Sequence, residues 1–222
     1  MLYLVATPIG NLEDITLRAL RVLAEVDYIL CEDTRKASFL LKHFGISKAL
    51  VSFYEHNEGK KIPKIIEDLK QGKNIALISS AGTPGISDPG FKLIRSCREK
   101  DLEITSLPGA SSLINALAQS SLPHDKFSFY GFFPRKKSAQ KKALEEIKAS
   151  NITSIFFESP YRIVKTLETI KSVLGKRKVS LAREMTKKFE EVFEDEIDKA
   201  IAHFKGKKPK GEFVLTISKV KK

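Results

Sequence analysis

Asn74-Ile-Ala-Leu-Ile-Ser-Ser-Ala-Gly-Thr-Pro-Gly-Ile-Ser-Asp-Pro-Gly-Phe91 is the stretch on which the reading of the fold turns. Ile75–Ile78 is a short apolar run bounded by turn residues, the mark of a strand. Ser79–Gly90 follows, with three glycines and two prolines in 12 residues. A helix is expected next, over 91–99. Glycine lets backbone approach a ligand closely, and proline lowers the entropy of a loop that must stay open. Twelve residues are too many for a plain turn.

Working outward, the same strand, loop and helix rhythm repeats. Leu2–Ala6 reads as a strand, ending at Thr7-Pro8-Ile9-Gly10-Asn11. Asp14 is the expected N-cap of a helix with Leu17, Leu20 and Ala24 on one face. Tyr28–Cys31 and Leu50–Phe53 are further strands. Helices are expected through 39–43, closed by Gly45, and around 62–69, closed by Gly72. A fifth strand over 102–106 leads into Pro108-Gly109 and a helix over 111–118. Strands alternating with helix-length segments imply βα units and a mainly parallel sheet. Each punctuated loop (7–11, 32–35, 54–58, 79–90 and 107–112) follows the carboxyl end of a strand, where open parallel sheets bind ligands.

Ser120-Ser-Leu-Pro-His-Asp125 breaks the rhythm and divides the chain into an N-terminal domain, 1–121, and a C-terminal domain, 122–222. Beyond it, strands are expected over 127–131, 153–157, 178–183 and 212–217, with an edge strand over 189–193. Helices are expected over 138–149, 162–174 and 196–204. The fold class is therefore α/β, with a mainly parallel sheet in the first domain and a mixed one in the second.

The net charge of +12 is unevenly placed. Residues 1–121 carry 15 Lys+Arg against 14 Asp+Glu, and residues 122–222 carry 24 against 13. An excess confined to one half suits a polyanion partner, because cations that neutralise phosphates release counterions. A solvated lysine-rich surface would look the same. Arg135, Lys136, Lys137, Lys141 and Lys142 follow Phe129-Tyr-Gly-Phe-Phe133, and cations beside aromatics suit a nucleic-acid face. Those rings could equally belong to the core.

No apolar run approaches the roughly 20 residues of a membrane span, and no leader is read at the start. Cys31 and Cys97 show no pairing pattern, so a cytoplasmic protein is expected. No His, Cys or carboxylate spacing suggests a metal site. The glycine loop is neither a P-loop nor a dinucleotide fingerprint. Glu32 and Asp33, beside Arg35, are expected to line a substrate cleft or to form a local ion pair. His56, between Glu55 and Glu58, is either a proton acceptor or a solvated loop residue.

Together the loops resemble one family. Val5-Ala-Thr-Pro-Ile-Gly-Asn-Leu-Glu-Asp14, Glu32-Asp-Thr-Arg35, Ser79–Gly90, Pro108-Gly-Ala-Ser-Ser112, Gly131-Phe-Phe-Pro-Arg135, Phe157-Glu-Ser-Pro160 and Leu181-Ala-Arg-Glu-Met-Thr-Lys187 are similar to the ribosomal RNA small-subunit methyltransferase I family. That family lies in the tetrapyrrole methylase superfamily. The resemblance implies transfer of a methyl group from S-adenosylmethionine to the ribose 2′-oxygen of a cytidine in 16S ribosomal RNA of the 30S subunit. It implies a homodimer and a cofactor folded between two α/β domains. By motif, Pro8, Ala81, Gly82, Thr83, Ile86, Ser111, Ser112 and Glu158 would contact the cofactor. Glu32, Asp33, Arg35 and His56 would form the catalytic, acceptor side. Ser80 stands where the family commonly has Asp, and many members extend further at the C-terminus. If that extension grips RNA, the basic surface of 126–222 must do more here. Alternatives with the same fold are a methyltransferase acting on tetrapyrrole precursors or diphthine, or a non-catalytic RNA-binding protein.

Overall fold

The computed structural model describes residues 1–206 and 209–220. Lys207 and Lys208, in the basic stretch Gly206-Lys-Lys-Pro-Lys-Gly211, lie outside the described residues. The chain forms two compact units, Met1–Ser111 and Ser112–Lys222.

In the first unit, β1 (Leu2–Val5), β2 (Tyr28–Cys31), β3 (Ala49–Ser52), β4 (Ile75–Ile78) and β5 (Ile104–Leu107) form one sheet in the order β3-β2-β4-β1-β5. Every pairing is parallel. The helices are α1 (Leu17–Glu25), α2 (Thr34–His43), α3 (Glu58–Lys70) and α4 (Phe91–Arg98). Alternate strand residues serve opposite faces, as the pleat requires. Val5, Ile29, Cys31, Ala76 and Ile78 pack with Ala19, Val22 and Leu23 of α1 and Ala37 and Leu41 of α2. Leu2, Leu30, Ile75 and Leu77 pack with Ile65, Ile66 and Leu69 of α3 and Leu93 and Cys97 of α4. Both faces are covered, which is why these strands read as near-continuous apolar runs.

Helix α1 departs from the expected pattern in two ways. Its N-cap is Thr16, whose side chain accepts from the Ala19 N–H at 3.0 Å, while Asp14 sits in a preceding 3₁₀ turn over Leu12–Asp14. The buried face is Ala19, Val22 and Leu23; Leu17 is 86% exposed. The cap falls two residues later than expected, and Leu17, the first residue after it, points to solvent.

In the second unit, α5 (Ser112–Ala118) precedes β6 (Phe127–Phe132), α6 (Lys137–Ser150), β7 (Thr153–Glu158), α7 (Ile163–Leu174), β8 (Lys178–Arg183), β9 (Glu191–Glu196), α8 (Ile197–Phe204) and β10 (Phe213–Ile217). The sheet order is β6-β7-β10-β8-β9, with β6 parallel to β7 and the other pairs antiparallel. β9 lies at an edge, as expected. α5 packs against β10, so the units divide before this helix, whereas the break read from the sequence falls after it.

Phe156, Leu181, Phe213, Leu215 and Ile217 share one core with Leu144 and Ile147 of α6, Ile163, Leu167 and Ile170 of α7, and Ile197, Ala200 and Phe204 of α8. The register of β6 against β7 slips between Phe129 and Phe132, and Gly131 there has φ 70°. This bulge sorts the aromatic run. Tyr130 and Phe133 pack on Phe156 on the helix side, at centroid distances of 5.1 and 5.2 Å. Phe129 and Phe132 pack on Phe157, on the opposite face, at 4.9 and 5.5 Å.

Candidate functional site

Because the first sheet is wholly parallel, the loops after its five strands gather on one rim. The chain leaves β4 toward α4 on one face, while neighbouring β1 and β2 lead to α1 and α2 on the other. Diverging exits from adjacent strands open a crevice at the strand ends, and ligands of open α/β sheets bind there.

Three loops are lashed together beside it. Thr7 and Gly82 exchange both backbone hydrogen bonds at 2.9 Å. The Thr7 hydroxyl donates to the Ser79 carbonyl at 3.2 Å, and the Ser79 hydroxyl to the Gly82 carbonyl at 2.9 Å. Thr83 donates to the Ala110 carbonyl at 3.2 Å, joining the loop after β5. A Cβ at Gly109 would lie 2.7 Å from the Ala6 Cβ, so only glycine allows this approach. Gly90, where the loop turns into α4, has φ 131° and a built Cβ would lie 2.7 Å from Leu77 Cδ2.

Pro8, Ala81, Gly82, Thr83, Ile86 and Ser111, the residues implied for the cofactor in this unit, all lie on these lashed loops. Their parts differ. The Gly82 amide and the Thr83 hydroxyl serve the loop itself, whereas Ala81 and Ile86 are exposed and Pro8 and Ser111 half-buried. Ser112 opens α5 in the second unit. Glu158, at the end of β7, is 2% exposed; its carboxylate accepts from Arg162 at 2.5 Å, from the Ser159 N–H at 2.6 Å and from the Thr166 hydroxyl. All these partners belong to the second unit, so this side chain is committed there.

One corner of the rim is an open depression of about 500 Å³ lined by Glu32, Asp33, Thr34, Arg35, Lys36, Ser52, Tyr54 and Ser80. Asp33 caps α2 by accepting from the Arg35 N–H at 2.9 Å, and the Arg35 guanidinium grips the same carboxylate at 3.2 and 3.0 Å. The hydrogen-bonded guanidinium holds Asp33 down to about 2, which makes it a weak base. Glu32 is free of that pair and accepts from the Ser80 hydroxyl at 2.9 Å. Ser80 thus donates to Glu32, a contact a second carboxylate could make only by holding a proton. His56 does not line the depression; its ring meets the edge of Tyr54 with centroids 6.3 Å apart.

Asp88 was not singled out by the sequence. It sits half-buried in the loop after β4, next to Ser87 with φ 62°. Burial, and then the charge of Glu32, push its carboxyl up to about 6. Tyr54 and Ser52 were also missed, though their position at the end of a strand was legible. Among the described residues, no three His, Cys, Asp or Glu gather as a metal would need. Among the same residues, no helix is long and apolar enough to cross a membrane.

On the second unit, Arg135, Lys136, Lys137, Lys141 and Lys142 are all exposed. They occupy the turn after β6 and the first turns of α6.

The sequence pattern of the tetrapyrrole (corrin/porphyrin) methylases matches residues 1–201. Among solved structures, a diphthine synthase superposes with TM-score 0.77 at 15% identity, covering 98% of this chain and 89% of that one. A uroporphyrin-III-C-methyltransferase from Thermus thermophilus superposes with TM-score 0.62 at 18% identity, covering 98% and 93%. At these identities the likeness is one of fold. Two relatives named ribosomal RNA small subunit methyltransferase I are much nearer in sequence. The one from Thermotoga maritima is 48% identical over 217 residues, 98% of this chain and 97% of its own. The one from Escherichia coli O157:H7 is 46% identical over 219 residues, 97% of this chain and 77% of its own. The chain therefore belongs to the tetrapyrrole methylase family, on the branch occupied by these small-subunit ribosomal RNA methyltransferases.

Proposed function

We propose that this protein transfers a methyl group from S-adenosylmethionine to the ribose 2′-oxygen of a cytidine in 16S ribosomal RNA, acting as a cytoplasmic homodimer on the 30S subunit. The carrying observation is relatedness over almost the whole chain, at 48% and 46% identity, to proteins named for that RNA. The excess of cations in residues 122–222 supports a polyanionic substrate over a tetrapyrrole carboxylate or diphthine, either of which needs only a local basic pocket.

The lashed loops fit the cofactor: Gly82 and Gly109 bring three backbones together, leaving Ala81 and Ile86 as an exposed apolar edge beside Pro8 and Ser111. S-adenosylmethionine supplies a methyl carbon already activated by its sulfonium, so the protein's task is placement and removal of one proton. On the acceptor side, the Asp33–Arg35 pair is a fixed dipole at the start of α2 that orients the incoming group. Glu32 and Asp88 are the carboxylates able to receive the hydroxyl proton, and Asp88, at about 6, is the better matched to a reaction near neutral pH.

The test is transfer of labelled methyl to 30S subunits, naked ribosomal RNA and tetrapyrrole precursors, followed by digestion to nucleosides. Label in 2′-O-methylcytidine is expected. Label only in a tetrapyrrole, or no binding of S-adenosylmethionine in calorimetry, overturns the proposal. If Glu32→Gln, Asp33→Asn, His56→Ala and Asp88→Asn all kept the wild-type single-turnover rate, the acceptor-side roles would be lost while the activity stood.

A further inference from the structure

The rim formed by β6 and β7 displays two largely exposed aromatic rings, of which Phe132 meets the fold only along the edge of Phe157. Phe132 is 60% exposed and Tyr161 is 95% exposed. A tyrosine that makes almost no contact contributes little to folding, and large exposed rings grouped with cations mark interaction sites. β6 and β7 run parallel, so the segments after them leave from the same end. Those segments are physically joined. Arg162 donates to the Phe133 carbonyl at 3.0 Å while pairing with the buried Glu158 at 2.5 Å. The Phe133 N–H in turn donates to the Phe157 carbonyl at 3.0 Å. Phe132 adjoins Phe133, and Tyr161 adjoins Arg162, so each ring is displayed beside an anchored residue. Gln140 fixes the next turn by donating to the Pro134 carbonyl at 2.8 Å, and Arg162 N–H closes the other by donating to the Ser159 carbonyl at 3.0 Å.

The charge along the segment that begins at Phe132 has one sign. From Phe132 through Lys142 there are five cations, Arg135, Lys136, Lys137, Lys141 and Lys142, and no acid. Glu158, the carboxylate that ends β7, is buried against Arg162. A second copy docking about a two-fold axis would set this patch against itself and oppose cation to cation. A nucleic acid matches it: phosphates meet the cations and exposed π faces accept bases. Duplex offers no free base face, so the occupant is unpaired.

We propose that Phe132 and Tyr161 form a stacking platform for unpaired bases of the RNA substrate, with Arg135, Lys136 and Lys137 holding the adjoining phosphates. The proposal rests on the RNA reading above and adds to it where, and by which side chains, the substrate is gripped. Glu158 and Arg162 are positioning residues, since they hold the two loops and touch no base.

The test uses the full chain, the 30S subunit and an unstructured RNA oligonucleotide, with Phe132→Ala, Tyr161→Ala and the double variant. Each single change is expected to weaken RNA affinity by about fivefold to a hundredfold. KM for 30S should rise, while S-adenosylmethionine affinity and melting temperature stay at wild type. Tyr161→Phe keeps the ring and is expected to bind as wild type does, a rescue that loss of a hydroxyl contact would not give. The slope of affinity against salt should survive in the alanine variants, because no phosphate contact is removed. The platform is overturned if the double variant binds both RNAs as wild type does. It is equally overturned if Phe132→Ala disrupts self-association in sedimentation and leaves RNA affinity unchanged. Should wild type methylate no RNA, the functional reading fails by itself, and oligonucleotide binding by the same variants still decides the platform.

Discussion

The two units use a five-stranded sheet to opposite ends. In the first, every strand is parallel and both faces are covered by helices, so polar groups and irregular backbone collect at the carboxyl rim. That rim has little excess charge and is braced by hydrogen bonds between loops, a construction suited to a small ligand held close to backbone. In the second, only β6 and β7 are parallel, and α6, α7 and α8 share one core on one side. Its exposed surface carries the chain's excess of cations and several unburied rings, a construction suited to a large, extended partner. Parallel strands concentrate a site; the second unit spreads its cations over an exposed surface.

Ion pairs give the sharpest way to break this comparison. Arg162 partners a carboxylate that is fully buried, so Arg162→Met should lower stability by about 3–5 kcal/mol. Hydrogen exchange should localise the loss to β7 and α7. Arg35 is 90% exposed, and Arg35→Met should leave the melting temperature unchanged while the Asp33 carboxyl, followed by NMR, rises toward its ordinary value. Equal destabilisation by the two changes would deny that the units differ in how they use charge.

Gly90→Ala comes next. The positive φ disfavours any side chain, and the expected loss is about 2–3 kcal/mol, read in calorimetry as a drop in the first unit's transition. The Cβ also meets the tip of Leu77, so pairing it with Leu77→Ala should relieve the contact but not the backbone strain.

Asp88→Asn tests the rim through pH. A carboxyl raised from its ordinary value to about 6 favours the folded state while protonated, and that contribution is lost as pH rises through about 6. The variant should therefore be more stable than wild type at pH 7.5, by about 2 kcal/mol after allowing for partial exposure, and no more stable at pH 4. A wild-type difference that does not change between these pH values would remove Asp88 from the buried corner.

The smallest effect is expected on the second unit's surface. Lys141→Ala with Lys142→Ala should leave melting unchanged and flatten the salt dependence of RNA binding by about 0.7–0.9 for each phosphate no longer neutralised. The same exchange at the exposed Lys42 and Lys70 of the first unit should leave that slope alone.

Much of this architecture was legible in the sequence, for a physical reason. Strands buried on both faces are apolar runs, and loops that approach a ligand need glycine, so β4 and Ser79–Gly90 announced both sheet and rim. What escaped notice depends on direction in space. Leu17 is an apolar residue of α1, yet it stands first after the Thr16 cap and off the buried face of Ala19, Val22 and Leu23. Asp88 looked like any loop acid, because its partial burial depends on the three-dimensional course of the loop and leaves no mark in local sequence. For Glu158, implied for the cofactor by resemblance alone, its local partners were not legible: the pleat sends it, two residues from Phe156, to the helix side of its sheet, where Arg162 and Thr166 donate to it. Asp33 and Arg35 were legible as either site or local pair, and the geometry makes them a pair on the wall of the rim depression.

The extra residue in β6 has a consequence for solubility. An outer strand with free amides and carbonyls invites strands of other molecules, and a run such as Phe127–Phe133 is the composition that does so. A bulge twists the margin and interrupts the even ladder that such addition requires. By the same register slip, Tyr130 and Phe133 are tucked inward while Phe132 stays out. Excising Gly131 would restore an even ladder while leaving each ring on its present face. Such a shortened chain should form fibrils at concentrations where the parent stays clear.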